Sequence, residues 1–257
     1  MLYEVMRLTV IGCSGSFAGP ESAASCYLLE GDHDGRTWRV LLDLGSGALG
    51  TLQRYVDPVT VDAVLVSHLH PDHYFDLSGL YVMWKYHPGG PRPRIPVYGP
   101  RGVAEQCARA YGLRQDPGMS EEFEFHEYDG HPIRLGPFTV HARRLVHPIT
   151  AYGLRVESGG HTVVYSGDTG PCQELVDLAS GADLLLCEAA FVESGDNPAD
   201  LHLTGKQAGV AAAEADVRRL VLTHIPPWHD PDVPLTEAHE AYAGPLEAAV
   251  TGSTYHF

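Results

Sequence analysis

Three histidines and one aspartate lie within a single short segment of this sequence, Ser67-His-Leu-His-Pro-Asp-His73. Imidazole nitrogen and carboxylate oxygen are the ligands that zinc and similar divalent ions accept. The preceding residues 61–66 are almost all apolar and β-branched, which predicts a buried strand. If the strand continues, His68 and His70 point the same way, whereas Asp72 and His73 follow a proline break. This spacing favours two neighbouring metal ions over one.

Three more ligand-type residues, His147, Asp168 and His224, stand at the ends of predicted strands. Taken alone, each has an ordinary structural role: Asp168 as a helix N-cap, and the histidines as hydrogen-bonded strand-end residues. Together with the first segment they make seven donors. Two metal ions that share a bridging ligand need about seven.

The chain has 257 residues, and 44% of them are hydrophobic, so we expect a single globular domain over residues 1–257. Its formal net charge of −16 repels nucleic-acid phosphates at long range, so we expect no stable nucleic-acid binding. One local basic cluster, Arg92, Arg94 and Arg101, lies in a Pro/Gly-rich loop. Arg92 and Arg94 could approach a phosphate, although a loop cluster of this kind is usually solvated.

The cysteines and the N-terminal segment bear on the compartment. None of the five cysteines forms a C-x-x-C pair, and Cys187 in an apolar run is typical of a buried reduced thiol. Glu4 and Arg7 interrupt the apolar N-terminal segment, which argues against a signal peptide. No run approaches the ~20 apolar residues of a membrane helix. We therefore expect a cytoplasmic protein without membrane contact.

Hydrophobic periodicity predicts alternating strands and helices along the whole chain. The predicted strands are 5–11, 24–30, 37–43, 61–66, 95–99, 122–127, 132–135, 138–145, 151–157, 161–165, 183–187, 219–223 and 246–250. The predicted helices are 47–55, 74–87, 101–111, 171–179, 204–215 and 235–243. Each half of the chain begins with hairpin-rich strands and continues with helices. This α/β pattern indicates two sheets packed together with helices outside.

Several motifs in this order resemble those of metallo-β-lactamase-fold hydrolases, particularly the phosphodiesterase branch that includes ribonuclease Z. The matching segments are Gly12–Ser16, Asp43–Gly47, Ser67–His73, His147, Ser166–Thr169, Cys187–Phe191, His202–Thr204 and Leu222–His224. Three segments, Cys13–Phe17, Tyr165–Gly170 and Thr223–Trp228, look closest to compact phosphodiesterases that act on cyclic AMP.

The resemblance implies a four-layer αββα sandwich and two divalent ions, with zinc favoured and manganese or iron as alternatives. It implies one ion on His68, His70 and His147, and a second on Asp72, His73 and His224. Asp168 would bridge the two, and a water between the ions would be the nucleophile. Asp72 is counted among the catalytic residues as well as the ligands.

The resemblance also implies a general acid. In the family, a histidine at the position of His202, assisted by a glutamate at that of Glu188, protonates the leaving alkoxide, which departs poorly without a proton. The alternative is that His202 is a loop or helix-capping residue.

Two departures separate this chain from ribonuclease Z. The long, basic Gly/Pro-rich arm that grips tRNA is absent, and Ile225-Pro-Pro-Trp228 replaces serine, arginine and tyrosine after His224. Trp228 or Trp84 could stack on a base, or simply be core residues. We therefore expect a small phosphodiester substrate, such as a 3′,5′-cyclic nucleotide. Alternatives are tRNA 3′ processing, thioester or lactone hydrolysis, and a regulator without turnover; homodimerisation stays open.

Overall fold

The structure is a computed structural model that describes residues 6–194 and 196–257. Two mixed β-sheets pack face to face, and helices cover their outer faces. The αββα sandwich expected from the sequence is therefore confirmed. The predicted strand 5–11 begins at residue 5, which lies outside the described residues.

The first sheet has the order β15-β1-β3-β4-β5-β6-β7, with β2 beside β1. Its strands are β1 (Arg7–Ser14), β2 (Ala23–Ala24), β3 (Cys26–His33), β4 (Arg36–Leu42), β5 (Ala63–Leu65), β6 (Ile95–Gly99), β7 (Phe123–Glu127) and β15 (Thr254–His256). A tight hairpin joins β3 to β4. From β4 to β7 neighbouring strands are parallel, so their carboxyl ends meet at one edge of the sheet.

The second sheet has the order β14-β13-β12-β11-β10-β9-β8. Its strands are β8 (Ile133–Leu135), β9 (Phe138–Leu145), β10 (Ala151–Ser158), β11 (His161–Tyr165), β12 (Leu184–Glu188), β13 (Leu220–Thr223) and β14 (Leu246–Ala248). Antiparallel hairpins build β8 to β11, and parallel pairing continues to β14. Each half of the chain thus supplies most of one sheet.

In the described part of the chain, seven α-helices connect the strands: α1 (Ala48–Leu52), α2 (Pro71–Tyr74), α3 (Leu77–Tyr86), α4 (Val103–Tyr111), α5 (Gln173–Ala179), α6 (Gly205–Glu214) and α7 (Asp232–His239). Thr204 begins α6 with a capping box, because its hydroxyl accepts from Gln207 N while the Gln207 side chain accepts from Thr204 N. Gly47 cannot cap α1 with a side chain, so the Asp76 carboxylate accepts from Leu49 N instead.

Three apolar clusters hold the layers together. The cluster between the sheets includes Leu29, Phe138 and Tyr165, and each outer cluster joins one sheet to its helices. Burying this continuous apolar surface is the main stabilising contribution to such a sandwich. Within the described residues, no helix combines the length and apolarity needed to cross a lipid bilayer.

Some element boundaries differ from the sequence prediction. The predicted helix 74–87 is wrong as a single element: α2 begins earlier, at Pro71, and Asp76 separates it from α3. Proline at the first helical position is favourable, since its missing N–H has no partner there. The helix predicted at 235–243 begins at Asp232 because Pro234 lies in its first turn. Helix α1 ends at Leu52 rather than Tyr55.

Candidate dinuclear metal centre

All seven predicted ligands lie at one edge of the sandwich, where strands of both sheets end. His68 and His70 follow β5, and Asp72 and His73 lie in α2. The other three, His147, Asp168 and His224, follow β9, β11 and β13 respectively. Strand β5 ends at Leu65, so His68 and His70 lie beyond it, and the expected alternation along a continuing strand is wrong. Their ring nitrogens nevertheless converge.

The first donor group consists of His68, His70, His147 and Asp168, whose donor atoms lie within 4.8 Å of one another. His70 Nδ1 lies 3.0 Å from His68 Nε2 and 3.3 Å from His147 Nε2. His147 Nδ1 donates to the carbonyl of Leu201 at 2.8 Å. That bond leaves the Nε2 lone pair of His147 facing the group, as a ligand requires.

The second donor group consists of Asp72, His73, Asp168 and His224, all of them buried. Asp168 Oδ1 lies 3.3 Å from His73 Nε2, and Asp168 Oδ2 lies 3.3 Å from His224 Nε2. Asp72 Oδ2 lies 3.3 Å from His73 Nε2. Asp168 belongs to both groups, which is the position of a bridging ligand.

Asp43 lies outside the donor groups and orients their residues through hydrogen bonds, a role that the sequence did not reveal. Its fully buried carboxylate accepts from Ser67 N at 2.6 Å, Ser67 Oγ at 2.8 Å and Tyr165 Oη at 2.7 Å. His73 Nδ1 also donates to it, at 2.7 Å. This last bond fixes the His73 ring so that its Nε2 faces the donor group. Asp43 lies within a family motif, but only the fold brings Tyr165 to it.

The electrostatics of the two groups suit metal cations. Burial lowers the pKa of His68 well below its ordinary value, and it also lowers the pKa values of His70, His147 and His224. These rings are therefore neutral and able to bind a metal. Burial raises the pKa of Asp168, but charge interactions with His224, His73 and His68 outweigh this effect and hold that pKa well below its usual range. His73 differs from the other rings: burial lowers its pKa, but Asp168 and Asp43 outweigh burial and raise that pKa well above its ordinary value. An ionised carboxylate buried this deeply requires a compensating positive charge.

Two buried polar atoms test more directly whether the site suits a metal ion. His73 Nε2 and Asp168 Oδ1 are buried and lie 3.3 Å apart, and within the described residues neither makes a hydrogen bond. A divalent ion bound by both atoms would pair them, as buried polar atoms nearly always are. The imidazole and carboxylate donors fit a divalent ion, and the two overlapping groups suggest a dinuclear site.

His202 and Glu188 form a third feature beside the two groups. His202 Nδ1 donates to Glu188 Oε1 at 2.9 Å and lies 4.0 Å from Asp168 Oδ2. Burial lowers the pKa of His202, but the Glu188 carboxylate outweighs it and raises the pKa to about 9. Glu188 is fully buried and also accepts backbone N–H groups of Thr169, Ala190 and Leu203. His202 is therefore firmly oriented, as a cation, at the edge of the site.

Two motif glycines allow the site loops to approach one another. A Cβ on Gly45 would lie 1.9 Å from the carbonyl oxygen of Asp72, and one on Gly15 would lie 2.1 Å from that of His224. Neither contact is tolerable, so each glycine permits a metal-site loop to pack against the backbone. Ser16, after Gly15, and His224, in the facing loop after β13, both adopt left-handed conformations, with φ of 63° and 56°. Strain of this kind concentrates at functional sites.

We expect Gly45→Ala to impair the centre more than the fold. The new methyl group would lie 1.9 Å from the Asp72 carbonyl oxygen, so the backbone must shift until these atoms are more than 3.0 Å apart. This shift displaces the Asp72 carboxylate, a donor of the second group. Metal content by elemental analysis should fall towards one ion per chain, and turnover should fall with it. Gly50→Ala is the matched control, because a Cβ there meets nothing within 4 Å inside α1. Equal metal content in both variants would contradict this expectation.

An aromatic pair stands beside the second donor group. Phe17 and Trp228 lie 5.0 Å apart between ring centroids, and Trp228 is 64% exposed. Phe17 follows Ser16, whose N–H is 3.3 Å from His224 Nε2. Trp84, in contrast, is buried, and its indole N–H donates to Pro93 O, so it is a core residue unable to stack on a base.

Comparison with known proteins agrees with the fold. Residues 38–225 match the family described as beta-lactamase superfamily domain. The chain belongs to this superfamily. It is 45% identical to an uncharacterised protein of Mycobacterium tuberculosis over 97% of this chain and 92% of that protein. It is 30% identical to ribonuclease Z of Myxococcus xanthus over 98% of this chain and 97% of that enzyme.

Among solved structures, this superfamily member is similar to the metallo-beta-lactamase fold protein YhfI of Bacillus subtilis. The TM-score is 0.87 at 30% identity, covering 99% of this chain and 100% of that one. By sequence, the same Bacillus subtilis protein, named a probable metallo-hydrolase, is 32% identical over 96% of this chain and 98% of its own. These relatives support a metal-dependent hydrolase.

Proposed function

We propose that this superfamily member hydrolyses small phosphodiesters, with 3′,5′-cyclic nucleotides as the substrate class. The observation that carries the proposal is the His202–Glu188 pair, hydrogen-bonded at 2.9 Å beside the bridging position of Asp168. A phosphodiester has a poor alkoxide leaving group and needs an acid, whereas a thioester or lactone has less need of one. The ribonuclease Z relative cleaves the same class of bond.

We assign the predicted residues as follows. His68, His70, His147 and Asp168 would hold one divalent ion, and Asp72, His73, His224 and Asp168 would hold the other. When bound, the two ions lower the pKa of water and so supply a nucleophile near neutral pH. The chain's own part is to orient these donors, through Asp43 and Leu201, and to hold a proton on His202.

The proton transfer follows from the hydrogen bond of His202. Because Nδ1 donates to Glu188, the second proton of the cationic ring is carried by Nε2. As the P–O bond breaks, His202 Nε2 gives this proton to the departing ribose oxygen, and the product is a nucleoside monophosphate. Glu188 stabilises the ring's positive charge before the transfer and fixes its direction.

Substrate size follows from the surface of the protein. The formal net charge of −16 opposes approach of a large RNA, and the basic arm is absent. The exposed rings of Phe17 and Trp228 offer a surface for a single base beside the metal centre. Aromatic side chains stack on bases of any sequence, which suits a mononucleotide.

A substrate panel tests this proposal on the metal-loaded protein. We expect turnover of bis-p-nitrophenyl phosphate and cyclic AMP, with lower or similar rates on other cyclic nucleotides, and little processing of pre-tRNA. A thioester should be a poor substrate. The His224→Ala variant serves as the inactive control. Accurate cleavage of pre-tRNA at the discriminator base would replace the proposal with tRNA processing, and rapid thioester turnover alone would replace it with ester hydrolysis.

A further inference from the structure

A large groove lies at the edge of the sandwich opposite the metal centre. It has a volume of about 830 Å³ and is formed by the start of β4, the residues before β5 and β6, and part of β8. Asp62 in this groove and His68 at the metal centre are separated by the short strand β5. Among the described residues, none that lines the groove belongs to either donor group. The groove is therefore a separate site.

Positive charge is concentrated in this groove. Of the chain's 17 lysines and arginines, five arginines line it: Arg36, Arg39, Arg92, Arg94 and Arg134. They come from three separate parts of the chain, which the fold brings together. A cluster assembled in this way on a chain with net charge −16 creates a local field that attracts anions.

Only part of this charge is neutralised within the protein. Arg36 pairs with Asp62 at 2.7 Å, and Arg39 pairs with Glu30 at 3.2 Å. Across residues 6–194 and 196–257, no carboxylate pairs with Arg92, Arg94 or Arg134. Arg94 and Arg134 donate only to Ser120 O and Thr139 Oγ1, at 3.3 and 3.4 Å. Three guanidinium groups thus remain open to an anion.

Arg92 also lacks a carboxylate partner within the described chain. Its Nη2 reaches the His87 ring, 3.1 Å from Nδ1, and its Nε is buried without a hydrogen-bond partner. The charge of Arg92 is therefore not neutralised by a neighbouring carboxylate.

The aromatic walls of the groove restrict the kind of anion. The guanidinium carbon of Arg36 lies 3.7 Å from the Trp38 ring centroid and covers one face of the indole. Gly136 packs closely against the same ring, since a Cβ there would lie 2.2 Å from it. Trp84 is buried. Arg36 and Gly136 both pack against Trp38, and Trp84 is buried, so the main recognition elements of the groove are guanidinium groups.

We propose that this groove binds a small ligand carrying two or more linked phosphate groups, recognised through its phosphates. One guanidinium group can donate two hydrogen bonds to two oxygens of a phosphate. Three guanidinium groups therefore suit a diphosphate better than a single phosphate. A volume of about 830 Å³ lies within the usual range for a bound small molecule. The site is distinct from the metal centre and does not depend on it.

Equilibrium binding of inorganic pyrophosphate, ADP and adenosine to the metal-loaded protein tests the inference. We expect pyrophosphate and ADP to bind with similar affinities and adenosine to show no binding, because the guanidinium groups recognise phosphate. Arg94→Gln/Arg134→Gln changes two exposed residues, and we expect it to weaken pyrophosphate binding at the groove roughly tenfold or more. The double variant Arg94→Lys/Arg134→Lys keeps the positive charge but loses the planar guanidinium geometry. Its affinity for pyrophosphate should lie between that of the unmodified protein and that of the glutamine variant.

Two controls distinguish binding in the groove from a general charge effect and from binding at the metal centre. Arg54→Gln/Arg114→Gln removes the same charge from exposed residues outside the groove and should leave binding unchanged. His224→Ala disrupts the metal centre and should retain one pyrophosphate site. Absence of binding at millimolar pyrophosphate, equal loss in both arginine pairs, or loss in His224→Ala would overturn the proposal. ADP binding far tighter than pyrophosphate would overturn recognition through phosphates.

Discussion

Asp168→Ala is expected to lose both metal ions and nearly all turnover, because Asp168 alone belongs to both donor groups. His147→Ala and His224→Ala each remove a donor from one group, so each should retain about one ion per chain. Metal stabilisation of the reacting groups is worth several kcal/mol. At about 1.4 kcal/mol per decade, turnover should fall roughly 10³-fold or more. Elemental analysis and steady-state rates measure the two effects.

Asp196→Ala is the matched control, since Asp196 is exposed and lies outside the donor groups. It should keep two ions and full activity. Thermal unfolding of the metal-free variants and the metal-free unmodified protein distinguishes loss of a metal-binding side chain from loss of the fold. Removing the Asp168 carboxylate from a buried cluster of histidines should not unfold the metal-free protein. Full activity with at most one tightly bound ion in the unmodified protein would refute the dinuclear assignment.

His202→Ala is expected to leave both ions bound and to lose activity according to the leaving group. A ribose alkoxide departs poorly without a proton, so cyclic nucleotide hydrolysis should fall about 10²–10⁴-fold. A p-nitrophenolate departs readily, so bis-p-nitrophenyl phosphate hydrolysis should change much less. The ratio of the two rates, measured beside metal content, is the decisive quantity.

His239→Ala controls for loss of an exposed histidine elsewhere. Glu188→Gln should show a milder form of the same leaving-group dependence, because Glu188 only orients and charges His202. Glu188 Oε1 accepts from Thr169 N and His202 Nδ1, and Oε2 accepts from Ala190 N and Leu203 N. The amide nitrogen of a glutamine therefore meets two donors in either orientation. An equal loss on both substrates, or loss of metal from His202→Ala, would mean that His202 is structural or a ligand.

Local sequence patterns predict most of the elements. Strands β6, β9 and β11 begin and end where the sequence pattern places them, because glycine or proline lies close to both ends of each strand. Strand β15 is not predicted, since three residues carry no period and its pairing with β1 is purely long-range. At the break between α2 and α3, the Asp76 carboxylate accepts a hydrogen bond from Leu49 N of α1. No local sequence pattern predicts this long-range contact.

The metal-binding residues can be predicted because they follow predicted strands. The residues that orient them through hydrogen bonds cannot be predicted in this way. The Asp43–Tyr165 hydrogen bond joins residues from opposite sheets, so only the packed sandwich creates it. The arginine groove likewise joins β4 and β8 to a loop. The sequence groups Arg92 and Arg94 with Arg101, but Arg101 does not line the groove within the described chain. Tertiary proximity of this kind has no short-range signal.

The order of the donors along the chain has a consequence for how the protein acquires its metal during synthesis. The first donor group is complete once Asp168 has been made, whereas the second requires His224, which follows two strands later. The pairing of β1 with β15 also closes the first sheet only after residue 256. Since domains fold as the ribosome releases them, the nascent chain exposes one full set of donors before the other exists. However, because each donor group joins residues of both sheets and β15 completes the first sheet, we expect the two groups to assemble, and the metal to enter, only once the whole domain has left the ribosome.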